Sequence, residues 1–348
     1  MQTDMHYYGT YAMARAAGLK PDMAFVVATA AEYVDDSDNL QVTLKDGIQI
    51  NSRATAHHPA DRANLNQDDQ KYTWVPFHFI PGAVGNTSGE KLICRTDSDV
   101  AKQMVKHHLG LFNTPYALQL LGIAAHSYAD TFSHYGFTGI ASNLNKVKTG
   151  SFNLQARDNS ILGQVKASST KFWNKYAGDA LNMVMLGHGS VATYPDQPYL
   201  IWSFEYEDGR KSGERNNPDT FLRACHLLHQ MFSDFGKQQP DYFLSPGAGK
   251  SFDDIRGVVS EILNVAGEAP VRIKAWQDAV TAGRLYVNAA RTPIPTYDAT
   301  TFSHDLGLLK NLTKGEAEKT LVYQFIQAAE VHRNYMMNEL LPKNGIAF

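Results

Sequence analysis

HSYADTFSH, residues 126–134, sets His126, Asp130 and His134 four residues apart in a stretch that reads as a helix interior. Four residues is just over one helical turn, so the three side chains form a stripe on one face. A metal site explains the stripe; a satisfied network of core hydrogen bonds is the alternative. Along a straight helix four residues rise ~6 Å and eight rise ~12 Å. His126 and His134 are then too far apart for one ion, whereas Asp130 between them can bridge two. Paired catalytic ions sit ~3.5–4 Å apart, a separation that a bridging carboxylate suits. Ala124, Ala125 and Ala129 mark a tightly packed neighbourhood, and a carboxylate buried there without a partner is strongly disfavoured.

Working outward, the helix carrying the motif opens at Thr114-Pro115 and stops at Gly136, with Leu118, Leu121, Ala125, Ala129 and Phe132 among its apolar positions. Upstream, one helix covers 4 to 17 and ends at Gly18, and a second starts at Pro21 and runs to about Val34. LQVTL and IQINSRAT flank Asp46-Gly47 as a hairpin. Residues 57 to 96 read as irregular, with two strand-like runs, KYTWVPFHFI and EKLIC, before a helix from about Ser98 to Leu111. Downstream come a long loop over 137 to 165, a helix over 168 to 187, and a strand with an Asp-Gly turn in LIWSFEYEDGRKSG, 200 to 213. Helices at roughly 218 to 236, 252 to 266, 269 to 282 and 315 to 341 complete the chain. The expectation is one mainly α-helical domain over 1–348, with small β-hairpin insertions near 40–55 and 200–213.

The 348 residues carry a net charge of -3 with both signs interspersed. That leaves no basic footprint for nucleic acid and no polybasic patch for an anionic membrane. Cys94 and Cys225 make no disulfide framework. MQTDMHYYGTYAMARAAG lacks the basic and apolar regions of a signal peptide, and no run reaches the ~18 apolar residues of a membrane span. A cytoplasmic protein is expected. No G-x-S-x-G elbow, P-loop or HExxH occurs, so serine-hydrolase, nucleotide-kinase and zincin readings lack support.

Other potential ligands lie elsewhere along the chain. His6 stands among Tyr7, Tyr8 and Tyr11 with Asp4 nearby. In EYVDDSD, Glu32, Asp35, Asp36 and Asp38 gather at a helix C-terminus, where the macrodipole disfavours carboxylates unless a cation or solvent compensates. Asp35 and Asp36 differ by ~100° around the helix, and the sequence does not choose between them. His78 lies in an aromatic run; His188 lies between two glycines, with Asp196 placed to orient or ligate. His57-His58 and His107-His108 are weaker candidates, since adjacent residues diverge and at most one of each pair faces a common site, and the CHLLH run (Cys225, His226, His229) reads as structural, since no carboxylate accompanies it.

In order, His6, Asp35 or Asp36, His78, His126-x3-Asp130, His134 and His188 resemble the ligand order of bacterial zinc-dependent phospholipase C, whose fold the fungal single-strand zinc nucleases share. HYYGTYAMARAAG and EYVDD are also similar to an uncharacterised bacterial family without assigned activity. The first resemblance implies an all-α multi-helix bundle and a cluster of two or three zinc ions that hydrolyses phosphoesters with a metal-bound water. It implies Asp130 as the bridge and Asp35 or Asp36 as the aspartate that ligates and activates water. Three features depart from that pattern. The phospholipase ligates through a processed N-terminal amine, and Asp4 is the substitute this chain offers for it as a metal ligand. His134 follows the H-x3-D pair too soon, and the closing H-x3-E is absent, Asp196 lying eight after His188. The implied substrate is a small-molecule or lipid-like phosphoester. A structural metal-binding protein and a non-catalytic helical binding protein are the alternatives.

Overall fold

The computed structural model describes residues 1–57, 61–148, 150–155, 185–245 and 249–348. Its principal helices are α1 (Thr10–Ala17), α2 (Pro21–Asp36), α3 (Gln67–Phe77), α4 (Asp99–Leu109) and α5 (Ala117–Asp130). They continue as α6 (Asn217–Gln238), α7 (Phe252–Leu263), α8 (Ala269–Thr281) and α9 (Leu321–Tyr335). A π-helical turn, Asp4–Gly9, leads into α1. The fold is mainly helical with small antiparallel sheets, as the apolar periodicity and the hairpin signals indicate. No described helix is long and apolar enough to cross a membrane.

The central packing is between α2 and α5. A Cβ on Gly122 would stand 2.4 Å from the Val27 carbonyl oxygen and 2.8 Å from Ala30 Cβ, so only glycine lets these backbones approach so closely. Ala24, Ala28, Ala30 and Ala31 on α2, and Ala124, Ala125 and Ala129 on α5, are all buried. Both helices feed two apolar cores. Val27, Ala28, Leu121 and Ala125 join a core with Phe221 and Trp276, while Tyr33, Val34, Leu120 and Ile123 join Phe77 and Phe325. A third cluster packs Phe79, Phe137, Trp202 and Phe204.

The hairpin around Asp46-Gly47 forms as β1 (Leu40–Thr43) and β2 (Gln49–Ser52), with Leu40 opposite Ser52 and Gly47 at φ +82°. A three-stranded sheet orders β3 (Asn153–Gln155), β4 (Ile201–Ser203) and β5 (Arg215–Asn216), all antiparallel.

Several local expectations change. KYTWVPFHFI is mostly helix: the Asn66 side chain accepts from the Asp68 and Asp69 amides, and the two acids favour the positive end of α3. These caps override β-propensity as far as Phe77, with Pro76 inside the last turn. EKLIC begins in a short helix, Ser88–Lys91, closed by a Thr87/Glu90 capping box; Cys94 alone makes a β-bridge, to Pro81. The last helix is broken, with Lys314–Ala317 first and α9 recapped by Thr320. The helix expected over 168–187 falls, up to 184, outside the described residues, as does His58.

The motif helix changes most. As an α-helix it ends at Asp130, and His134 lies in the following turns, where its amide still bonds the Asp130 carbonyl at 2.8 Å. Gly136 reverses the chain at φ +91°, where a Cβ would stand 2.4 Å from Tyr206 Oη. The straight-helix spacing therefore does not apply between Asp130 and His134.

Candidate metal centre

Helix ends and turns deliver the polar groups. The π-helical turn brings His6, the C-terminal end of α2 brings Asp35, the residue after α3 is His78, α5 brings His126 and Asp130, and the turn after it brings His134. His188 and Asp196 arrive on 3-10 turns.

Four imidazoles each give one N–H to a backbone carbonyl. His78 Nε2 donates to Thr55 at 2.9 Å, His126 Nδ1 to Ala31 at 2.8 Å, His134 Nδ1 to His78 at 2.9 Å, and His188 Nδ1 to Ala192 at 2.8 Å. A carbonyl oxygen only accepts, so the proton sits on the bonded nitrogen. In a neutral ring the other nitrogen is then a bare lone pair. Metal-ligating histidines are fixed in this way.

Those lone pairs converge. His78 Nδ1 and His126 Nε2 are 3.2 Å apart, and each is 3.2 Å from Asp130 Oδ2. Asp130 Oδ1 is 3.2 Å from His6 Nε2 and 2.6 Å from the Met1 α-amino nitrogen. Neither nitrogen of the buried His6 ring has a hydrogen-bond partner among the described residues, and the ring stacks on His126 at 3.7 Å. Asp35 approaches His78 at 3.7 Å, His126 at 3.8 Å and His6 at 3.9 Å. His134 Nε2 lies 3.2 Å, and His188 Nε2 3.6 Å, from Asp196. Ser133 Oγ is 2.9 Å from Asp196 Oδ1.

Three donor sets can therefore hold a metal ion: His6, His126 and Asp130; Asp35, His78 and His126; His134, His188 and Asp196. The first two share His126 Nε2, which has one in-plane lone pair and serves one ion at a time. His126 and Asp130 side chains are fully buried, whereas the Asp35 side chain is 35% exposed. Solvent meets the cluster at Asp35.

The electrostatics agree with ligand chemistry. Burial holds His6 down to about 3, helped by His126 and the Met1 amine. Burial also lowers His188, to about 4, against the pull of Asp196. Burial alone would raise Asp130, but His134, the Met1 amine, His126 and His6 outweigh it and keep the carboxyl well below its usual range. Asp35 is lowered despite burial by His126, His6 and His78, and Asp196 by His188 and the Met1 amine. Burial opposes the charge on that amine, yet Asp130, Asp196 and Asp35 push it up to about 11. Ionised carboxylates and neutral imidazoles are the states a metal requires.

Six of the residues expected at the site come together with Asp35: His6, His78, His126, Asp130, His134 and His188. Two do not join a donor set. Asp4 is buried in an ion pair with Arg272, 2.8 Å away, and the charged Met1 amine pairs with Asp130 at 2.6 Å. Asp36 accepts from Tyr297 Oη at 2.5 Å, which settles the inward-facing choice on Asp35. Glu32, buried beside Asp35 and bonded by Thr3 at 2.6 Å, is raised well above the carboxylate range by burial and Asp35. Asp196, singled out in the sequence without a definite role, belongs to the third set. The Met1 amine has no side-chain signature to read. In CHLLH, His229 bonds the Lys250 carbonyl and His226 stacks on Phe252, without forming a donor set among the described residues.

The chain belongs to a family of unknown function, DUF6765, which it matches over residues 1–340. No curated protein and no solved structure matches it.

Proposed function

We propose that the protein is a metal-dependent hydrolase with a fold of the zinc-dependent phospholipase C type, acting on phosphoester bonds of a small-molecule or lipid-like substrate. The observation that carries this reading is the contact between His78 Nδ1 and His126 Nε2, 3.2 Å apart beside Asp130 Oδ2. Two imidazole nitrogens and a carboxylate oxygen converging at that distance offer a cation three donors at once. Imidazole and carboxylate donors suit zinc, at two or three positions.

Bound zinc supplies a water acidified to a pKa of about 7 and a Lewis acid for the phosphoryl oxygen. The chain's own groups do the rest. Asp130 turns one oxygen to His78 and His126 and the other to His6 and Met1, as a bridge between neighbouring positions. Asp35, ionised and partly exposed at the solvent side, would be the carboxylate to take up a proton from water there. Backbone carbonyls hold the imidazoles in one tautomer throughout.

A purely structural metal site is the second reading. Structural zinc sites are closed, and the partial exposure of Asp35 favours catalysis. The test is a panel of phosphodiester, phosphomonoester and carboxyl ester substrates, with His126→Ala and Asp130→Ala beside the unaltered protein. Phosphoester hydrolysis that disappears in both variants is expected. Hydrolysis unchanged by either substitution contradicts the assignment.

A further inference from the structure

Outside the metal centre, a cleft of about 590 Å³ is lined by Arg95, Arg210, Lys211 and Arg215, with Glu90 as its acidic residue. None of its lining residues belongs to a metal donor set. Arg210 pairs with Asp208 at 2.7 Å. Arg95 and Lys211 have no carboxylate partner among the described residues. Arg215 is almost wholly buried, yet its guanidinium reaches only backbone carbonyls, those of Tyr135 at 2.7 Å and Ser133 at 2.6 Å. Its Nε has no hydrogen-bond partner among the described residues.

A buried guanidinium beside two further cations is unfavourable without a counter-charge. Aromatic faces supply part of it: Arg215 lies 3.6 Å over the Tyr135 ring and 5.0 Å from Trp202. With Arg210 paired to Asp208, and Glu90 the one acidic residue of the lining against Arg95, Lys211 and Arg215, positive charge is left in excess. From this we propose that the cleft is a binding site for a phosphate group, the dianion whose charge matches two Arg/Lys donors and a buried guanidinium. The exposed Arg95 and Lys211 bind its oxygens, the Thr96 hydroxyl at the cleft wall offers another donor, and Arg215 sets the positive field of the floor.

The site also touches the metal centre through the chain. Arg215 bonds the Ser133 carbonyl, and Ser133 Oγ contacts Asp196. The proposal nevertheless stands independently of the hydrolase reading, since it uses no metal ligand.

Calorimetric titration of the full chain, metals in place, with inorganic phosphate at physiological ionic strength tests it. The comparison is Arg95→Ala/Lys211→Ala, two exposed positions, with metal content measured on both proteins. The expected result is a phosphate site that the double variant weakens about tenfold or more, at unchanged metal content. An isotherm identical in the two proteins, or no phosphate binding to the unaltered chain, overturns the proposal. A phosphate bound only at the metal centre gives the identical isotherm, so failure here is distinct from failure of the hydrolase reading.

Discussion

His78 Nδ1 and His126 Nε2 stand 3.2 Å apart with the N–H of each ring already given to a backbone carbonyl. Each ring's second nitrogen faces the other, and with Asp35 the pair forms a donor set that can hold a cation. His78→Ala is expected to lose at least one equivalent of tightly bound metal and to keep a cooperative unfolding transition. Elemental analysis after chelator-free purification reads the first, and circular dichroism the second. An undiminished metal content in the variant contradicts the pairing.

Ser133 has one hydroxyl proton and two acceptors in reach, Pro195 O at 2.8 Å and Asp196 Oδ1 at 2.9 Å. Ser133→Ala frees Asp196 from that restraint. Metal affinity at the third donor set is expected to fall about 10- to 100-fold, measured by competition with a chromophoric chelator. Unchanged affinity assigns Ser133 to the Pro195 turn alone.

Asp4 and Arg272 form a buried pair apart from the metal donors. Asp4→Ala leaves the guanidinium uncompensated, at an expected cost of about 3–5 kcal/mol. The folded fraction keeps its full metal complement. Urea unfolding and elemental analysis on the same sample check both halves, and metal loss with intact stability reverses the assignment of Asp4.

Gly122→Ala drives a methyl group toward the Val27 carbonyl. Overpacking of this kind costs about 1–3 kcal/mol. It also pushes α2, which carries Asp35 and the Ala31 carbonyl that orients His126, away from α5. Lower melting temperature and weaker metal binding are therefore expected together. A melting shift without a metal effect would separate the packing from the site.

A second histidine group gives the pH dependence. His332 donates from Nε2 to the Pro76 carbonyl, lies 2.8 Å from His108 Nε2, and is held at about 3 by burial. Unfolded histidine takes its proton near about 6.5. Between those values the unfolded chain holds the extra proton, so this contribution is complete above about pH 6.5 and is lost as pH falls toward 3. Metal-free protein is expected to lose about 1.4 kcal/mol per pH unit from this group, and His332→Gln to remove that increment. Parallel urea-midpoint curves for the two proteins over this range refute the prediction.

Much of this architecture was legible from local patterns. Pro21, Gly18 and Asp46-Gly47 marked boundaries that the fold keeps, because each acts through its own backbone. Caps proved harder to weigh: Asn66 turned an aromatic, strand-like run into α3, and so placed His78 just beyond a helix end. The stripe of His126, Asp130 and His134 named residues that the fold places in candidate donor sets, by a geometry that holds only as far as Asp130. The turns after Asp130 carry His134 to Asp196, with its ring held by the His78 carbonyl. Asp35 could be separated from Asp36 only once Tyr297, far along the chain, was in place. The Met1 amine is a backbone group at the centre of the cluster, and no side-chain pattern announces it.

The most direct measurement is anomalous diffraction at the zinc edge from crystals of protein purified without chelator or added metal, with manganese and iron edges recorded beside it. At least two peaks flanking the Asp130 carboxylate are expected, one against His78, His126 and Asp35 and another against His134, His188 and Asp196. Crystals with these side chains ordered and no anomalous peak among them contradict that expectation.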